Sequence, residues 1–351
     1  MPINLQANYT TIIAAAIICT LLASVAIWVP YTQFPFVPLL GVLSFGSVIP
    51  SAILFAALIV CAIGFAFYAK RGVAAVLMLL LVTGVLLNLN CFRPDFYHYF
   101  IVLLLVAIAG ADNKEFTTGV KLIHGATYMW AGILKLNSHF FDMNLPYFAN
   151  AWHSTFHIPV PAYLLVVVPV AEMLIGFAFL TGIKLRVAFW ASVVLHLLIM
   201  LQLIITHWNE SMLPYNLFLI AGNYVLFYKA QRTDLVQQFI KTKTWNAVRI
   251  AGILFLIMPA FNIFNLWPHS MSCGMYSGRA KYMSLELNNT TAEQLPPSAK
   301  PFISNSAKGP YLDVMRWMEN ETYCMPNPQV LVYTKLQKQI CPGCNTTMWL
   351  Y

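Results

Sequence analysis

The chain alternates between long apolar runs and short polar segments, and this pattern predicts a bundle of membrane-spanning helices. Nine runs approach the roughly 20 apolar residues that a helix needs to cross a bilayer. They lie at 10–29, 51–69, 72–90, 97–111, 117–136, 161–183, 187–207, 214–228 and 248–267. The nine residues before the first run lack the basic start of a signal peptide, so we predict a true first span.

Residues 30–50 are also apolar, but several prolines interrupt them. Proline removes a backbone donor and breaks a helix interior. We therefore expect an interfacial or re-entrant segment here, and the number of spans could differ by one from nine.

Basic residues collect in three connecting segments, and this asymmetry predicts the orientation. Lys70 and Arg71 follow the second run, Lys184 and Arg186 follow the sixth, and five more lie within 229–249. Cytoplasmic loops of membrane proteins are enriched in Lys and Arg. Nine spans place all three segments on that side, which predicts a cytoplasmic N-terminus and an extracytoplasmic C-terminus, with a bacterial inner membrane as the location.

The character of the chain changes after the last run. Residues 269–351 hold 12 of the 32 charged residues. The segments YMSLELN (282–288) and QVLVYTKL (329–336) alternate apolar and polar residues as strands do. We predict an all-α polytopic membrane bundle over 1–268, followed by a small α+β extracytoplasmic domain over 269–351.

Composition supports the membrane assignment. The chain is 60% hydrophobic and 9% charged, whereas soluble domains carry about 25% charged residues. The net charge of +8 is explained by the loop charges, since no basic stripe indicates a nucleic-acid partner. The lipid bilayer is the first partner that the sequence predicts.

Four of the seven cysteines fall in the predicted outer domain, where disulfides persist. They are Cys273, Cys324, Cys341 and Cys344. Four cysteines allow three pairings, and the sequence does not choose among them. The CPGC motif at 341–344 also has the spacing of a redox-active dithiol, but no βαβ pattern surrounds it, so structural disulfides are favoured.

Polar residues gather in the segments predicted to face outward, and six of the eight histidines lie there. Interfacial anchoring explains any one of them, but as a group they favour a site facing the outer compartment. His153 and His157 are four residues apart and would share a helix face. No metal-binding motif supports them, and no metal is expected.

Among the ionisable residues within the spans, three are singled out as costly, since an ionised group at a helix centre costs about 2.5–3.5 kcal/mol. They are Lys135, Glu172 and His196. His124, Tyr128 and Lys135 share one helix face, because they are spaced by four and seven residues. We therefore expect a polar seam between the fifth, sixth and seventh spans.

The sequence resembles a known membrane domain at several motifs. YMWAGILKLNSHF (128–140), AEMLIGFAFLTGIKLRVAFWASVVLHLLIMLQL (171–203) and LPYNLFLIAGNYVLFY (213–228) resemble the HTTM domain of vitamin K-dependent gamma-carboxylase and its bacterial relatives. The helix HYFIVLLLVAI, beginning at His98, is similar as well. The resemblance covers about residues 90–230.

The resemblance implies an integral membrane enzyme with a quinone or hydroquinone cofactor and a secreted protein or peptide substrate. Lys135 matches the lysine that deprotonates vitamin K hydroquinone. Burial favours the neutral amine that such a base requires. His98 and His196 match histidines of the family and are the other catalytic candidates.

Candidate cofactor-binding residues accompany these positions. They are His98, Tyr128, Trp130 and Glu172. Two positions differ from the family. The segment that holds the family's Asn-His pair reads FYH (96–98) here, and Leu134 stands where the family has a basic residue before the lysine. The large lumenal domain is also missing, so carboxylation of protein glutamates is disfavoured and quinol-linked chemistry is retained.

Other functions remain open. DoxX and MauE-like proteins, which are redox-associated, share the AG-x-x-Lys and Glu-x-x-x-Gly motifs, although their bundles are usually shorter. A non-catalytic membrane subunit that binds a secreted or redox partner is the alternative from a different class. A transporter is disfavoured, because the sequence shows no internal repeat.

Overall fold

The computed structural model describes residues 5–40, 48–306 and 309–350, and this part of the chain is mostly helical. The helices are α1 Leu5–Ala23, α2 Val25–Trp28, α3 Val48–Phe67, α4 Arg71–Leu87, α5 Pro94–Ala109, α6 Lys114–Lys135, α7 Leu145–Phe156, α8 Val167–Thr181, α9 Leu185–Thr206, α10 Leu213–Asn223, α11 Leu235–Lys241, α12 Ala247–Ala251, α13 Asn289–Gln294, α14 Val314–Thr322 and α15 Val330–Ile340. The strands are β1 Lys281–Glu286, β2 Ile303–Ser306, β3 Gly309–Asp313 and β4 Asn345–Leu350. Turns of π-helix extend α10 to Tyr228 and α12 to Ile257.

The predicted nine membrane spans are not confirmed. Four helical stretches among the described residues are long and apolar enough to cross a membrane: Ile49–Phe67, Tyr163–Thr181, Leu185–Thr206 and Ala247–Phe264. The apolar stretches Asn8–Ala23 in α1, Arg71–Leu87 in α4 and Pro94–Ala109 in α5 are shorter. Helix α6 is long, but it contains charged residues. The chain is a membrane protein whose spanning helices pack with shorter and more polar ones.

One end of the bundle contacts the C-terminal sheet and its short helices, which we refer to as the C-terminal domain, and we refer to this end of the bundle as the domain end. The backbone N–H of Gln33 donates to Glu321 at 2.7 Å, and that of Asn327 donates to the side-chain oxygen of Asn90 at 3.1 Å. The loop after α9 joins the same contact. Turns between helices on one side of the bundle thus form the platform on which the domain lies.

The basic segments lie at the opposite end of the bundle. There the Arg71 guanidinium donates to the carbonyl of Ala109 at 2.9 Å, and Asn246 donates to Glu115 at 3.1 Å. The sorting of charge between the two ends agrees with the pattern in the sequence. Which end faces the cytoplasm stays a prediction.

Residues 30–40, the first half of the predicted interfacial or re-entrant segment, form no regular helix. Their side chains pack at the domain end, where the Phe34 ring lies 4.9 Å from that of Trp317. The N–H of Leu39 donates to the carbonyl of Leu86 at 2.9 Å. Residues 41–47 of that segment lie outside the described residues.

The C-terminal residues form an antiparallel sheet with strand order β2-β3-β1-β4, accompanied by short helices. Strand β1 confirms the strand predicted at 282–288. The strand predicted at 329–336 is wrong, because these residues begin helix α15. Val332, Tyr333 and Leu336 are buried on one helical face. A short apolar run fits both periodicities, and packing on the sheet selects the helix.

The predicted set of cysteines divides in two. Cys341 and Cys344 form a disulfide, whereas Cys273 and Cys324 are free thiols. Cys324 lies against the Arg93 guanidinium at 2.9 Å, and Cys273 lies 3.7 Å from the Thr127 hydroxyl within the bundle. Of the four disulfide candidates, only Cys341 and Cys344 are therefore joined in the structure.

Candidate functional site

Helices α6 and α8 approach each other through glycines. A Cβ at Gly176 would collide with the backbone of α6, and one at Gly132 would collide with the backbone of α8. Small residues permit such close helix contacts inside membranes. The AG-x-x-Lys and Glu-x-x-x-Gly spacings place Lys135 and Glu172 on the same faces as these glycines. The contact therefore brings two charged side chains together.

Lys135 and Glu172 form a buried ion pair. The Nζ of Lys135 donates to both carboxylate oxygens of Glu172, at 2.8 and 2.7 Å. Only 8% and 6% of the two side chains are exposed. Each charge would be costly alone in this environment and is stabilised by the other. Lys135 is thus half of an ion pair rather than an isolated amine.

A hydrogen-bonded triplet lies next to this pair along α6. The Tyr128 hydroxyl contacts Nε2 of His196, and Nδ1 of the same ring lies 2.8 Å from Oδ1 of Asn216. An amide oxygen only accepts, so Nδ1 donates and Nε2 accepts from the tyrosine. The contacts fix the orientation of the imidazole and its tautomer.

A second triplet repeats this arrangement deeper in the bundle. The Tyr9 hydroxyl contacts Nε2 of His124 at 2.9 Å, and Nδ1 of His124 donates to Asn223 at 2.9 Å. The amide nitrogen of Asn223 then donates to the Tyr128 hydroxyl at 2.7 Å, which joins the two triplets. The predicted polar seam is present, and it extends beyond α6, α8 and α9 to α1 and α10.

A cavity of about 340 Å³ opens beside these groups. Its wall is mostly apolar and comes from α5 to α10 and from residues after 269. Four of the predicted site residues line it: Tyr128, Lys135, Glu172 and His196. Small-molecule sites are typically apolar cavities with a few placed polar groups. This cavity is the best candidate for a ligand site in the described part of the chain.

Three further polar side chains on the wall have an atom without a hydrogen-bond partner. They are the hydroxyls of Tyr97 and Ser270 and the amide nitrogen of Gln202. Tyr97 is 4% exposed and Ser270 is 1% exposed. Buried polar groups are usually satisfied, so unpartnered ones on a cavity wall indicate where a ligand could be held.

Two predicted site residues lie away from the wall. Nδ1 of His98 lies 2.9 Å from the hydroxyl of Tyr215, and Tyr215 lines the cavity. His98 is therefore separated from the cavity by one side chain. Trp130 faces another side of α6, where its Nε1 donates to the carbonyl of Leu256 at 3.1 Å. Their roles in catalysis or cofactor binding stay predictions.

Several residues of the site were missed in the sequence. Tyr97, Tyr215 and Asn216 lie in two of the outward-facing polar segments, 88–99 and 207–216, but nothing in their spacing distinguished them from interfacial anchors. Cys273 was grouped with the disulfide candidates, yet it lines the cavity. No pattern in the sequence pointed to Ser270, because its place on the cavity wall depends on how the chain folds back onto the bundle.

The histidine pair considered for metal binding lies elsewhere. His153 is on α7, and His157 follows the helix in a left-handed conformation. Both are exposed. Across the described ranges, no group of three or more His, Cys, Asp and Glu is arranged to hold a metal ion.

Residues 113–212 match the family model described as methylamine utilisation protein MauE. No curated protein and no solved structure matches the chain. The match covers less than a third of the chain, but it includes the glycine contact, the ion pair and the contact between Tyr128 and His196. This part of the chain is therefore similar to a membrane family associated with redox metabolism.

The resemblance to the HTTM family is wrong. The family that matches is MauE, and no HTTM or carboxylase family is found. The motifs that suggested HTTM specify a glycine contact with a buried ion pair, which is a feature of packing and not of one reaction. The chemistry carried over from the carboxylase therefore loses its basis.

Proposed function

We propose that this chain is a membrane redox-associated protein whose cavity binds an apolar ligand of the quinone class. The observation that carries the proposal is the buried Lys135–Glu172 pair on the wall of an apolar cavity. The pair lies in the segment that matches MauE. Ionisable groups buried in a membrane bundle mark functional sites more often than structural ones.

The residues on the wall fit such a ligand. The wall is mostly apolar and would accept a ring, while the free hydroxyls of Tyr97 and Ser270 would contact its oxygens. Leu198, also on the wall, belongs to α9, which is long and apolar enough to cross a membrane. We propose that an apolar ligand enters from the bilayer beside this helix.

A quinone or hydroquinone, when bound, would supply electron exchange coupled to proton uptake or release. The protein would provide the groups that hold and move those protons. Two hydrogen bonds join Lys135 to Glu172, and the Tyr128 hydroxyl and His196 are positioned as a second pair. Positioned groups of this kind are those that support general acid–base steps.

Binding can be tested by filling the cavity without altering its charges. Ala131 lines the cavity, so Ala131→Phe should reduce binding of a short-chain benzoquinone to the purified protein at least tenfold. Ala191→Phe makes the same change on the exposed face of α9 and should leave binding unchanged. Equal binding by wild type and Ala131→Phe would show that the cavity is not the ligand site.

A second candidate is a non-catalytic subunit that binds a secreted or redox partner. It is favoured by the completeness of the ion pair, since Lys135 and Glu172 satisfy each other and could simply join two helices. A Lys135→Met/Glu172→Leu variant separates the two functions. The assay supplies a hydroquinone and a soluble electron acceptor such as ferricyanide, which takes up the two electrons that are released with two protons. Loss of this oxidation in a folded variant supports the catalytic role. Unchanged capture of a partner, by a protein that oxidises no hydroquinone, supports the subunit. Unchanged oxidation would show that the ion pair does not act in catalysis.

A further inference from the structure

We propose that the opposite end of the bundle contains a binding site for the headgroup of an anionic phospholipid. Four cations line it: Lys184, Arg186, Lys229 and Arg232. The site is separate from the cavity described above and does not depend on the function proposed for it.

The fold brings two separate segments together to make this site. Gly182 ends α8 with a φ of +74°, and a Cβ there would lie 2.6 Å from the backbone nitrogen of Thr233. Only glycine allows that approach in that conformation. The segment before Thr233 therefore lies against the turn between α8 and α9, and the cations of both segments surround one concavity.

The concavity has a volume of about 420 Å³. One of its cations is held by an aromatic ring, since the guanidinium of Arg186 lies over Tyr228 at 5.6 Å from the ring centre. Such contacts fix a guanidinium at little cost in hydration. All four cations are exposed, so they are accessible to a ligand.

The charges around the concavity favour binding of an anion. Helix α9 begins here, and Lys184 at its N-cap makes no side-chain capping hydrogen bond. The first turn has no acidic residue and contains Arg186, whereas a helix N-terminus favours negative charge. Asp234, the nearest acid along the chain, caps α11 by accepting from Gln237 at 2.9 Å. None of the four ion pairs in the described residues includes these cations.

The surroundings favour a lipid over a soluble phosphate. Ile183, Val187 and Trp190 lie beside the cations and are exposed by 41%, 66% and 55%. Apolar surface next to a basic concavity suits a ligand with acyl chains attached to a phosphate. Basic pockets at the ends of membrane helices are known to bind such headgroups.

Titration of the full-length protein in neutral detergent tests the site. The probes are dioctanoyl-phosphatidylglycerol, dioctanoyl-phosphatidylcholine and inorganic phosphate. Arg186→Gln/Arg232→Gln should weaken binding of the phosphatidylglycerol roughly 20-fold. Lys241→Gln/Lys243→Gln removes the same charge from residues at this end that do not line the concavity, and should change binding by less than about twofold.

Other results would overturn the proposal. Equal weakening by both variants would show a diffuse charge effect, and equal affinity for the two lipids would show no headgroup site. Inorganic phosphate that binds as tightly as phosphatidylglycerol would identify a soluble anion as the ligand. If the arginine variant does not fold, Lys184→Gln/Lys229→Gln removes the other two cations of the concavity and should weaken binding of the phosphatidylglycerol in the same way.

Discussion

Lys135 donates to both carboxylate oxygens of Glu172 across the contact between α6 and α8, at 2.8 and 2.7 Å. Gly132 and Gly176, on the same two faces, let the helices approach closely enough for this contact. The ion pair and the helix packing are therefore two consequences of one arrangement. Both can be tested by substitution.

Removing one charge of the pair should be far more harmful than removing both. Lys135→Met leaves the Glu172 carboxylate buried without its partner, and we expect the free energy of unfolding to fall by about 3–5 kcal/mol. In Lys135→Met/Glu172→Leu most of this loss should be recovered, because no buried charge remains. Thermal unfolding in detergent measures both effects.

The exposed pair of Arg316 and Asp313 is the control. Its atoms lie 3.8 Å apart, and its side chains are 69% and 39% exposed. Arg316→Met should cost less than about 1 kcal/mol. A cost for Lys135→Met as small as this would mean that the buried pair does not hold the helices together.

Glycine substitutions test the close contact of the helices. Gly176→Ala places a methyl group against the backbone of α6, and we expect a loss of about 1–3 kcal/mol or more from overpacking. Gly64→Ala is the matched control on α3, where no atom beyond the neighbouring backbone of the same helix lies within 4 Å of the added carbon. It should be neutral or slightly stabilising, since alanine favours helix. Equal unfolding temperatures for the two variants would contradict the close contact.

The contact between the C-terminal domain and the bundle should depend on pH. The pKa of Glu319 is raised from 4.5 to about 7, mainly because the carboxyl is buried. The nearby carboxylates of Asp313 and Glu210 also raise this pKa, whereas the backbone N–H of Asn209 and the charge of Arg316 lower it. The folded state therefore binds more protons than the unfolded state between these values. The contribution of this carboxyl to stability should be fully present below pH 4.5 and should be lost as the pH rises through 7.

Glu319→Gln should flatten this dependence. The difference in unfolding temperature between variant and wild type should grow as the pH rises from 5 to 8. Glu293→Gln, which changes an exposed carboxylate on α13, should follow the wild type at every pH. Parallel curves for Glu319→Gln and wild type would argue against a role for this carboxyl.

The state of the cysteines can be read from mass. The structure has five free thiols and one disulfide, so denatured protein should take up five alkyl groups before reduction and seven after it. Because the closed loop is short, Cys341→Ser/Cys344→Ser should cost only about 2 kcal/mol. Uptake of three groups before reduction would show that a second pair, such as Cys273 and Cys324, is also joined.

Much of the helical architecture was predictable from the pattern of apolar residues. The runs are long, and helical backbone is what a lipid environment imposes on them. Whether each run crosses the membrane was not predictable in the same way. Helix α6 contains charges whose cost depends on partners, and Glu172 is 37 residues away from Lys135 along the chain. The helix at 330–340 was missed because its short apolar pattern fits two periods.

The sequence by itself determined that this is a membrane protein with helices, that Lys135, Glu172 and His196 lie within apolar runs, and that basic residues gather in a few loops. Only the tertiary structure decided which of these groups meet. It joined Lys135 to Glu172, brought Tyr97 and Ser270 to the same cavity, and left Cys273 and Cys324 unpaired. The physical reason is that burial and hydrogen bonding depend on contacts between distant residues, whereas the pattern along the chain reports only each residue's own preference.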